Sequence, residues 1–420
     1  MHPSRSRRGW WNAVADVSRM LVKRASPALF AATMGTGAIS GLFVAFPYAT
    51  GSHPMLVFSL IIFFLNLALF ILSFVLLAAK YIRYRGKWIA LWNNPATSVY
   101  VGCFPMGGTT LINVATQVIH SEYNIGGKGF LYFLWAMWWL DICISFLCCW
   151  VGLHYMITNQ KHSLEAMNAT WILPVVTLIV AASCGGVVAG SLVHYSETHA
   201  LNTVIVSVFM VTVGLCLALM ILTIYILRLI IHGLPSGGPL LSVFLPLGPT
   251  GQAGYAVLLI GQNLRTLFPP LLGNAGFPLK PDTSAGVIVD VVCTCISFVL
   301  WSMATMWILY AFLALHTGLR QALIPFKIPF WGLVFPNAVY ANLTIQISNA
   351  FDSRAFRVWG AIYAVGTLLL WISIFSRSLW ELKTFLIIRK NADSNLEDKD
   401  DVQQEIHTHG STHTSSTEIV

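Results

Sequence analysis

Residues 55–80 read MLVFSLIIFFLNLALFILSFVLLAAK, with no charged side chain before the final Lys80. About 20 consecutive apolar residues are enough for a helix to cross the hydrocarbon core of a bilayer. A helix on the surface of a soluble protein would show polar residues at regular spacing along its outer face. This stretch therefore predicts a transmembrane helix.

The composition of the whole chain gives the same indication. The 420 residues are 56% hydrophobic and only 10% charged, whereas an average soluble domain has roughly 25% charged residues. The mean hydropathy is +0.72, so most of the surface contacts lipid. The formal charge of +8 does not indicate nucleic-acid binding, because the basic residues lie between and beside apolar runs, where they orient a membrane protein.

Nine further apolar runs of spanning length lie between turn signals. We expect a cytoplasmic basic segment at 1–26 without a cleaved signal peptide, a transport domain at 27–390 and a disordered cytoplasmic tail at 391–420. The sequence thus predicts an all-α polytopic membrane protein with ten transmembrane helices, near 28–46, 55–80, 99–119, 130–157, 171–194, 201–231, 240–264, 285–315, 328–349 and 355–388.

The distribution of lysine and arginine predicts the orientation. If the N-terminus is cytoplasmic, nineteen of the 24 basic residues fall on its side of the membrane. The opposite side then holds only Lys128, Arg265, Lys280, Arg354 and Arg357. The positive-inside rule favours this arrangement, in which both termini are cytoplasmic and the number of spans is even.

Proline and glycine recur in the odd-numbered runs, whereas the even-numbered runs mostly lack proline. Proline inside a helix removes a backbone hydrogen bond and bends the axis, which a bilayer tolerates where protein or a water-filled cavity satisfies the freed groups. Both residues are common in membrane helices in any case, so the prediction rests on their alternation between odd-numbered and even-numbered runs. This alternation predicts five helical hairpins around a central pore, with the odd helices kinked and pore-lining.

Charged side chains are nearly absent from the predicted spans. Asp141 and Asp290 are the clearest intramembrane acids, and a functional role is the usual hypothesis for such residues. We favour a structural role for both, as partners of a neighbouring helix. No ring of acids marks a cation path, and no lysine or arginine lies deep in a span. Such a pore, lined by helix dipoles and small polar groups, suits a weakly bound anion.

Motifs of enzymes and of nucleotide or metal sites are missing. The sequence has no GxxxxGK[ST], HExxH or GxSxG pattern. The eight cysteines lie in apolar stretches, which argues against a disulfide framework or a zinc site. His407, His409 and His413 could bind a metal weakly, but a solvated tail is the favoured interpretation. We therefore predict a protein that is not an enzyme and has no cofactor or bound metal.

Six short segments together resemble the tellurite-resistance and dicarboxylate transporter family, which includes plant guard-cell slow anion channels and fungal malate transporters. The resemblance covers roughly residues 26–390. The Ser-Cys-Gly segment at 183–185 and the Gly-Pro-x-Gly-Gln segment at 248–252 favour its fungal sulfite efflux branch. The six segments lie at 30–37, 104–113, 138–141, 182–185, 247–252 and 330–336.

The resemblance implies ten helices in five hairpins, with the odd helices lining a pore in each subunit of a homotrimer. It also implies that a phenylalanine in the ninth helix plugs the pore, and Phe335 is the matching position. The Phe-Pro-Met pattern common in the family is here Phe335-Pro336-Asn337, so a polar side chain lies beside the plug. Ordinary packing is the alternative interpretation of Phe335.

The expected function is export of sulfite or bisulfite across the plasma membrane by a transporter of fungal type. With a negative cytosol, each negative charge that leaves gains about 2.3 kcal/mol per 100 mV, so no nucleotide is needed. The residues expected to donate hydrogen bonds to the anion are Thr33, Thr36, Thr109, Ser183 and Gln252. The other residues expected to line the pore are Gly35, Gly37, Phe104, Pro105, Cys184, Gly185, Gly248, Pro249, Gly251, Pro336 and Asn337.

Two alternatives remain at this stage. A malate or other C4-dicarboxylate transporter, or an anion channel, could use the same fold, although a larger and doubly charged substrate would favour fixed cations in the pore. A membrane receptor or an intramembrane enzyme is the alternative from another class, and the missing catalytic cluster argues against it.

Overall fold

The computed structural model describes residues 17–48, 50–235, 237–274, 283–321 and 326–410, and within these ranges it contains helices and no strand. Ten α-helices have twelve or more residues. They are α1 (Phe30–Ala45), α2 (His53–Arg83), α3 (Cys103–Val114), α4 (Gly127–Thr158), α5 (Leu173–Leu192), α6 (Glu197–His232), α7 (Leu247–Asn274), α8 (Thr283–Gln321), α9 (Val334–Ala350) and α10 (Arg354–Gly410).

Eight helical segments in the described residues are long and apolar enough to cross a membrane. They are Pro27–Ala45, His53–Arg83, Gly127–Thr158, Ala169–Leu192, Glu197–His232, Gly238–Phe268, Ala285–Arg320 and Arg354–Phe385. The segments around α3 and α9 are not among them. Both are rich in Thr, Asn and Gln, which lowers their hydropathy although α3 continues as a π-helix through Ala115–Glu122.

Each odd helix begins with a short 3₁₀ turn. The prolines at 105, 174, 249 and 336 lie within the first three residues of the α-helix that follows. In the first turn of a helix an N–H has no intrahelical partner, so the N–H that proline lacks costs no hydrogen bond there. These prolines therefore lie at a change from 3₁₀ to α geometry at the start of each helix, and the predicted kinks of the odd helices stay a prediction. The turns are Pro27–Leu29, Val99–Gly102, Ala169–Ile172, Gly238–Phe244 and Ile328–Leu333.

The odd helices contact one another in a closed sequence, α1 to α3 to α5 to α7 to α9 and back to α1. In the spans that contain α1, α5 and α7, the most apolar windows are 61%, 100% and 83% buried. In α2, α4, α6 and α8 the corresponding share is at most 33%. The odd helices thus occupy the interior, and the even helices present large apolar side chains outward, as lipid contact requires.

Glycines allow the odd helices to approach closely. A Cβ atom on Gly35 of α1 would lie 2.9 Å from Val334 Cβ at the start of α9. A Cβ on Gly102 would lie 2.9 Å from the Leu173 carbonyl oxygen at the start of α5. Both distances are shorter than van der Waals contact. Small residues at helix contacts are the usual means of packing in a bilayer, where burial from water does not drive association.

Residues from Ile372 onward form a second compact unit, which is helical through Gly410. Within it Arg377 and Glu381 form an ion pair at 3.3 Å. The last helix thus continues past residue 391, where the sequence predicts that a disordered tail begins. Residues 411–420, including His413, and residues 1–16 of the predicted N-terminal segment lie outside the described residues. The proposed domain boundaries stay predictions.

Candidate functional site

A wide cavity of about 650 Å³ lies at the N-terminal ends of all five odd helices. Each odd helix contributes residues from its first or second turn. The contributing residues are Ala31 and Met34 of α1, Cys103 and Met106 of α3, Leu173 and Val176 of α5, Gly248 and Pro249 of α7, and Phe335 and Pro336 of α9. The N-terminus of a helix carries a partial positive charge. Five such ends facing one cavity make it favourable for an anion.

Basic side chains add to this positive potential. Lys161, His162 and Lys327 line the wide cavity, and the described lining contains no Asp or Glu. Lys161 and Lys327 are exposed. Neither belongs to an ion pair among the described residues. An uncompensated cationic mouth of this kind raises the local concentration of anions.

The segment that carries Lys161 is anchored on both sides. Gln160 Nε2 donates hydrogen bonds to the Trp92 carbonyl oxygen at 2.6 Å and to Ser98 Oγ at 2.9 Å. Arg228 Nη2 donates to the Glu165 carbonyl oxygen at 2.9 Å, and its Nη1 donates to the Gly233 carbonyl oxygen. The buried guanidinium is satisfied by backbone carbonyls rather than by a carboxylate. The positive charge of Arg228 is therefore not neutralised by these partners, and this end of the molecule keeps its cationic character.

A narrow cavity of about 180 Å³ lies further along the odd helices. Its described lining contains no charged residue. The polar groups there are hydroxyls and side-chain amides from α3, α7 and α9, with Thr50 from the loop after α1. They are Thr50, Thr110, Asn113, Gln117, Gln252, Tyr255, Asn342, Gln346 and Asn349.

Phe335 is the one residue that lines both cavities among those described. Its side chain is 5% exposed, and it lies in the first turn of α9. Pro336, the next residue, lines the wide cavity only, and Ala338, one turn further, lines the narrow cavity only. Phe335 is thus the residue at which the two cavities adjoin among the described residues.

Six of the residues predicted from sequence line these cavities. Gly37 and Gln252 line the narrow cavity; Gly248, Pro249 and Pro336 line the wide cavity; and Phe335 lines both. The others are absent from both linings and lie between helices. They are Thr33, Gly35, Thr36, Phe104, Pro105, Thr109, Ser183, Cys184, Gly185, Gly251 and Asn337.

Specific contacts explain why several of these residues face away from the cavities. The Thr33 hydroxyl donates to the Phe30 carbonyl oxygen at 2.8 Å. Thr36 Oγ1 accepts a hydrogen bond from Trp371 Nε1 at 3.1 Å. Asn337 Oδ1 accepts one from the Tyr363 hydroxyl at 2.5 Å. Thr33 thus bonds within its own helix, whereas the contacts of Thr36 and Asn337 join α1 and α9 to α10. All three side chains satisfy hydrogen bonds within the protein rather than at a cavity.

Phe104 and Cys184 also pack between helices. The Phe104 ring lies 5.1 Å from the Phe30 ring and 5.5 Å from the Phe70 ring, in an aromatic cluster shared by α1, α2 and α3. Cys184 Sγ lies 4.0 Å from the Thr109 carbonyl oxygen, where α5 contacts α3. Neither side chain reaches a cavity.

The two intramembrane acids have partners. Asp141 is buried on α4, and its Oδ2 lies 3.1 Å from Thr109 Oγ1 on α3. Asp290 on α8 forms an ion pair with Arg265 on α7 at 3.2 Å, and the arginine side chain is 60% exposed. Neither acid lines a cavity. Both geometries agree with a structural link between helices.

The amide residues of the narrow cavity are the main feature that the sequence interpretation missed. On α3 and its π-helical extension, Thr110, Asn113 and Gln117 follow at spacings of three and four. On α9, Asn342, Gln346 and the neighbouring Asn349 follow at spacings of four and three. These spacings place side chains on one helical face. The signal was therefore present as a polar face on two otherwise apolar helices.

The comparisons with known proteins agree with this geometry. The profile of the SLAC1 family, described as a voltage-dependent anion channel, matches residues 24–379. The chain belongs to the SLAC1 family. As a SLAC1-family protein it is a multi-pass membrane protein of an anion transporter family rather than an enzyme.

Individual SLAC1-family relatives include fungal transporters of two kinds. The sulfite efflux pump SSU1 of Arthroderma benhamiae is 32% identical over 364 residues, which are 86% of this chain and 92% of the relative. The sulfite efflux pump SSU1 of Candida albicans is 28% identical, over 82% of this chain and 71% of the relative. The malic acid transport protein of Schizosaccharomyces pombe is 22% identical, over 82% and 75%.

Proposed function

We propose that this protein exports sulfite or bisulfite across a fungal-type plasma membrane, along a path from the wide cavity past Phe335 into the narrow cavity. The observation that carries the proposal is that a single phenylalanine lines both cavities. The sulfite efflux pumps among the relatives support the choice of substrate. Family membership supports anion transport more generally.

In the proposed topology the ten helices form five hairpins that all cross the membrane. The closed sequence of contacts among the odd helices supports an inner ring around the path. If both termini are cytoplasmic, the N-terminal ends of the odd helices also face the cytoplasm. The wide cavity with Lys161 and Lys327 then opens on the side that supplies the substrate. The resemblance to trimeric relatives extends the proposal to a homotrimer in which each subunit has its own path.

Phe335 acts in this proposal as the gate. An anion in contact with an apolar ring loses hydration without gaining a hydrogen bond, which is costly. The ring therefore closes the path in the position described here, and a change of its side-chain rotamer opens it. The membrane potential then drives efflux, because each negative charge that leaves gains about 2.3 kcal/mol of free energy per 100 mV.

The remaining predicted residues take two roles in the proposal. Gly37, Gly248 and Pro249 line the path without obstructing it, and Gln252 donates hydrogen bonds to the anion. Residues such as Thr33, Thr36 and Thr109 position the helices. Ser183 acts through Gln252, because the Gln252 amide nitrogen donates to its hydroxyl.

A second candidate is transport of malate or a similar C4-dicarboxylate. The size of the wide cavity and its two lysines favour it, and one relative is a malic acid transport protein. The neutral and smaller cavity beyond Phe335 argues against it, because a dianion there meets no compensating cation.

The test is flux in a yeast strain that lacks its own sulfite exporter. We expect the intact protein to restore sulfite tolerance, with sulfite leaving the cells, and we expect Phe335→Ala to raise the efflux rate. Phe64→Ala is the matched control, because Phe64 is an exposed residue of α2, outside both cavities. Well-expressed protein that carries malate but no sulfite would refute the proposed substrate. Equal efflux by both variants would refute the gate.

A further inference from the structure

The narrow cavity brings together hydrogen-bond donors from several helices. Its amides include Asn113 on α3, Gln117 on the π-helical extension of α3, Gln252 on α7, and Asn342 on α9. Each side-chain amide presents two N–H donors and one carbonyl acceptor. Convergence of several amides on a space of about 180 Å³ makes a site of the size and chemistry of a small oxyanion.

The orientation of the Gln252 amide follows from its partner. The Ser183 hydroxyl donates its hydrogen to the Val180 carbonyl oxygen at 2.8 Å. Ser183 can therefore only accept from Gln252, so the amide nitrogen faces Ser183. An amide nitrogen has a second N–H, and the Gln252 side chain lines the cavity. A donor is thus held beside the space by a buried contact.

Tyr255 of α7 lies in the same lining as Asn342 and Gln117. A phenol hydroxyl can donate as well as accept a hydrogen bond. Tyr255 thus adds a hydroxyl donor to the amides around the cavity.

Asn113 differs from these residues. Its Oδ1 atom is buried and has no hydrogen-bond partner among the described residues, so it is not an acceptor for a ligand in the cavity. Recognition there falls to the amide N–H groups, which suit the acceptor oxygens of an oxyanion.

The electrostatics of the cavity favour a single charge. The described lining has no lysine, arginine or histidine, so a second negative charge is left without a compensating cation in a region of low dielectric constant. Asn342, Gln346 and Asn349 also lie in the C-terminal half of α9, where the helix dipole is negative. Amide donors can offset this negative potential for an anion with one charge more readily than for an anion with two.

We propose that the narrow cavity is a binding site for a singly charged oxyanion, and that bisulfite rather than sulfite is the species transported. This inference rests on the proposed function and names the charge state of its substrate. Bisulfite and sulfite interconvert near neutral pH, so both are present in the cytosol and the protein selects between them.

The titratable groups near the site are few. Tyr255 is the titratable side chain of the described lining. His120 lies one turn beyond Gln117 and packs beside the Tyr195 ring, 6.0 Å away, outside the lining. Titration of His120 could also change the flux with pH. Nitrate remains a monoanion at these pH values, so its flux measures that contribution.

The experiment measures flux through the purified protein in liposomes, with subtraction of flux through protein-free liposomes. Total sulfite is fixed while internal pH varies around neutrality, and nitrate flux at the same pH corrects for titration of the protein. We expect the corrected flux to follow the bisulfite concentration. We also expect sulfate, a permanent dianion at these pH values, to pass at least about tenfold more slowly, because its second negative charge meets no compensating cation in a region of low dielectric constant.

Corrected flux that follows the sulfite dianion, or sulfate flux equal to nitrate flux, would overturn the inference while leaving sulfite export intact. Absence of any sulfite flux would instead refute the proposed function.

Discussion

The two cavities on either side of Phe335 differ in size, charge and origin. The wide cavity is about 650 Å³, lies at five helix N-termini and has lysines in its lining. The narrow cavity is about 180 Å³, is lined by later turns of the same helices, and has side-chain amides but no charged residue in its described lining. In the proposed mechanism, one end of each odd helix therefore attracts anions in general, and the rest of the helix discriminates among them.

The proposed mechanism thus separates attraction from selection. A fixed lysine beside the proposed gate would bind the anion strongly and slow its release, whereas conduction requires binding that is weak enough to leave. In this proposal, lysines at the wide mouth raise the local anion concentration without holding any one anion, and amides beyond Phe335 select by size and charge.

The largest expected effect comes from giving the narrow cavity the charge that it lacks. Asn342→Lys should raise the flux of sulfate relative to nitrate on the order of 100-fold. An ion pair at about 4 Å contributes about 4 kcal/mol at an effective dielectric constant near 20, from which the desolvation of the lysine is subtracted. The measurement is the ratio of sulfate to nitrate flux in liposomes. Asn342→Leu controls for the lost amide, and an unchanged ratio in Asn342→Lys would mean that the cavity is not on the path.

A smaller effect is expected from reversing charge at the wide mouth. Lys327→Glu should lower efflux at subsaturating internal substrate by roughly fivefold at low salt, because it replaces attraction by repulsion. The loss should shrink as ionic strength rises and the Debye length falls. Lys128→Glu, an exposed lysine at the start of α4 outside both cavities, should leave efflux unchanged. A loss that is independent of salt would contradict the electrostatic role.

The smallest effect concerns the support of one amide. Ser183→Ala removes the acceptor that holds Gln252 and should lower bisulfite flux by about threefold, since a typical hydrogen bond contributes about 1 kcal/mol. Ser207→Ala is the matched control, because the Ser207 hydroxyl donates to the Thr203 carbonyl oxygen at 2.7 Å, away from both cavities. Equal flux in Ser183→Ala and the wild type would show that Gln252 needs no positioning.

Much of the fold could be predicted because lipid imposes a strong constraint on sequence. Each of the ten apolar runs overlaps one of the ten long helices of the described residues, and the run at 55–80 lies within α2. Eight described segments have the length and hydropathy of a membrane span, so ten crossings stay a prediction. The kinks also stay a prediction, because a proline such as Pro174 can either bend a helix or start one, and the 3₁₀ turn before it places Pro174 near a start.

The candidate site was predicted less completely. Phe335, Gln252 and the glycine and proline positions of α7 lie on the cavities, whereas Thr36 does not. Its partner Trp371 is distant in sequence, and no local pattern reveals which threonine has such a partner. The amides at 113, 117, 342 and 346 had a local pattern in their helical spacing. The sequence interpretation did not include them, because it took proline and glycine as the signs of a pore-lining helix.

The central claim is that Phe335 divides one path into two compartments, and cysteine labelling from each side of the membrane tests it most directly. Gly41 lines the narrow cavity and Gly248 lines the wide one. A Cβ at either position would meet no atom within 4 Å, so Gly41→Cys and Gly248→Cys form a matched pair. The labelling rate with a membrane-impermeant thiol reagent is compared with that of the unsubstituted protein, in vesicles of both orientations.

We predict that Gly41→Cys and Gly248→Cys are labelled from opposite sides of the membrane, and that adding Phe335→Ala allows labelling of both from either side. Labelling of both cysteines from the same side, with Phe335 in place, would contradict the account.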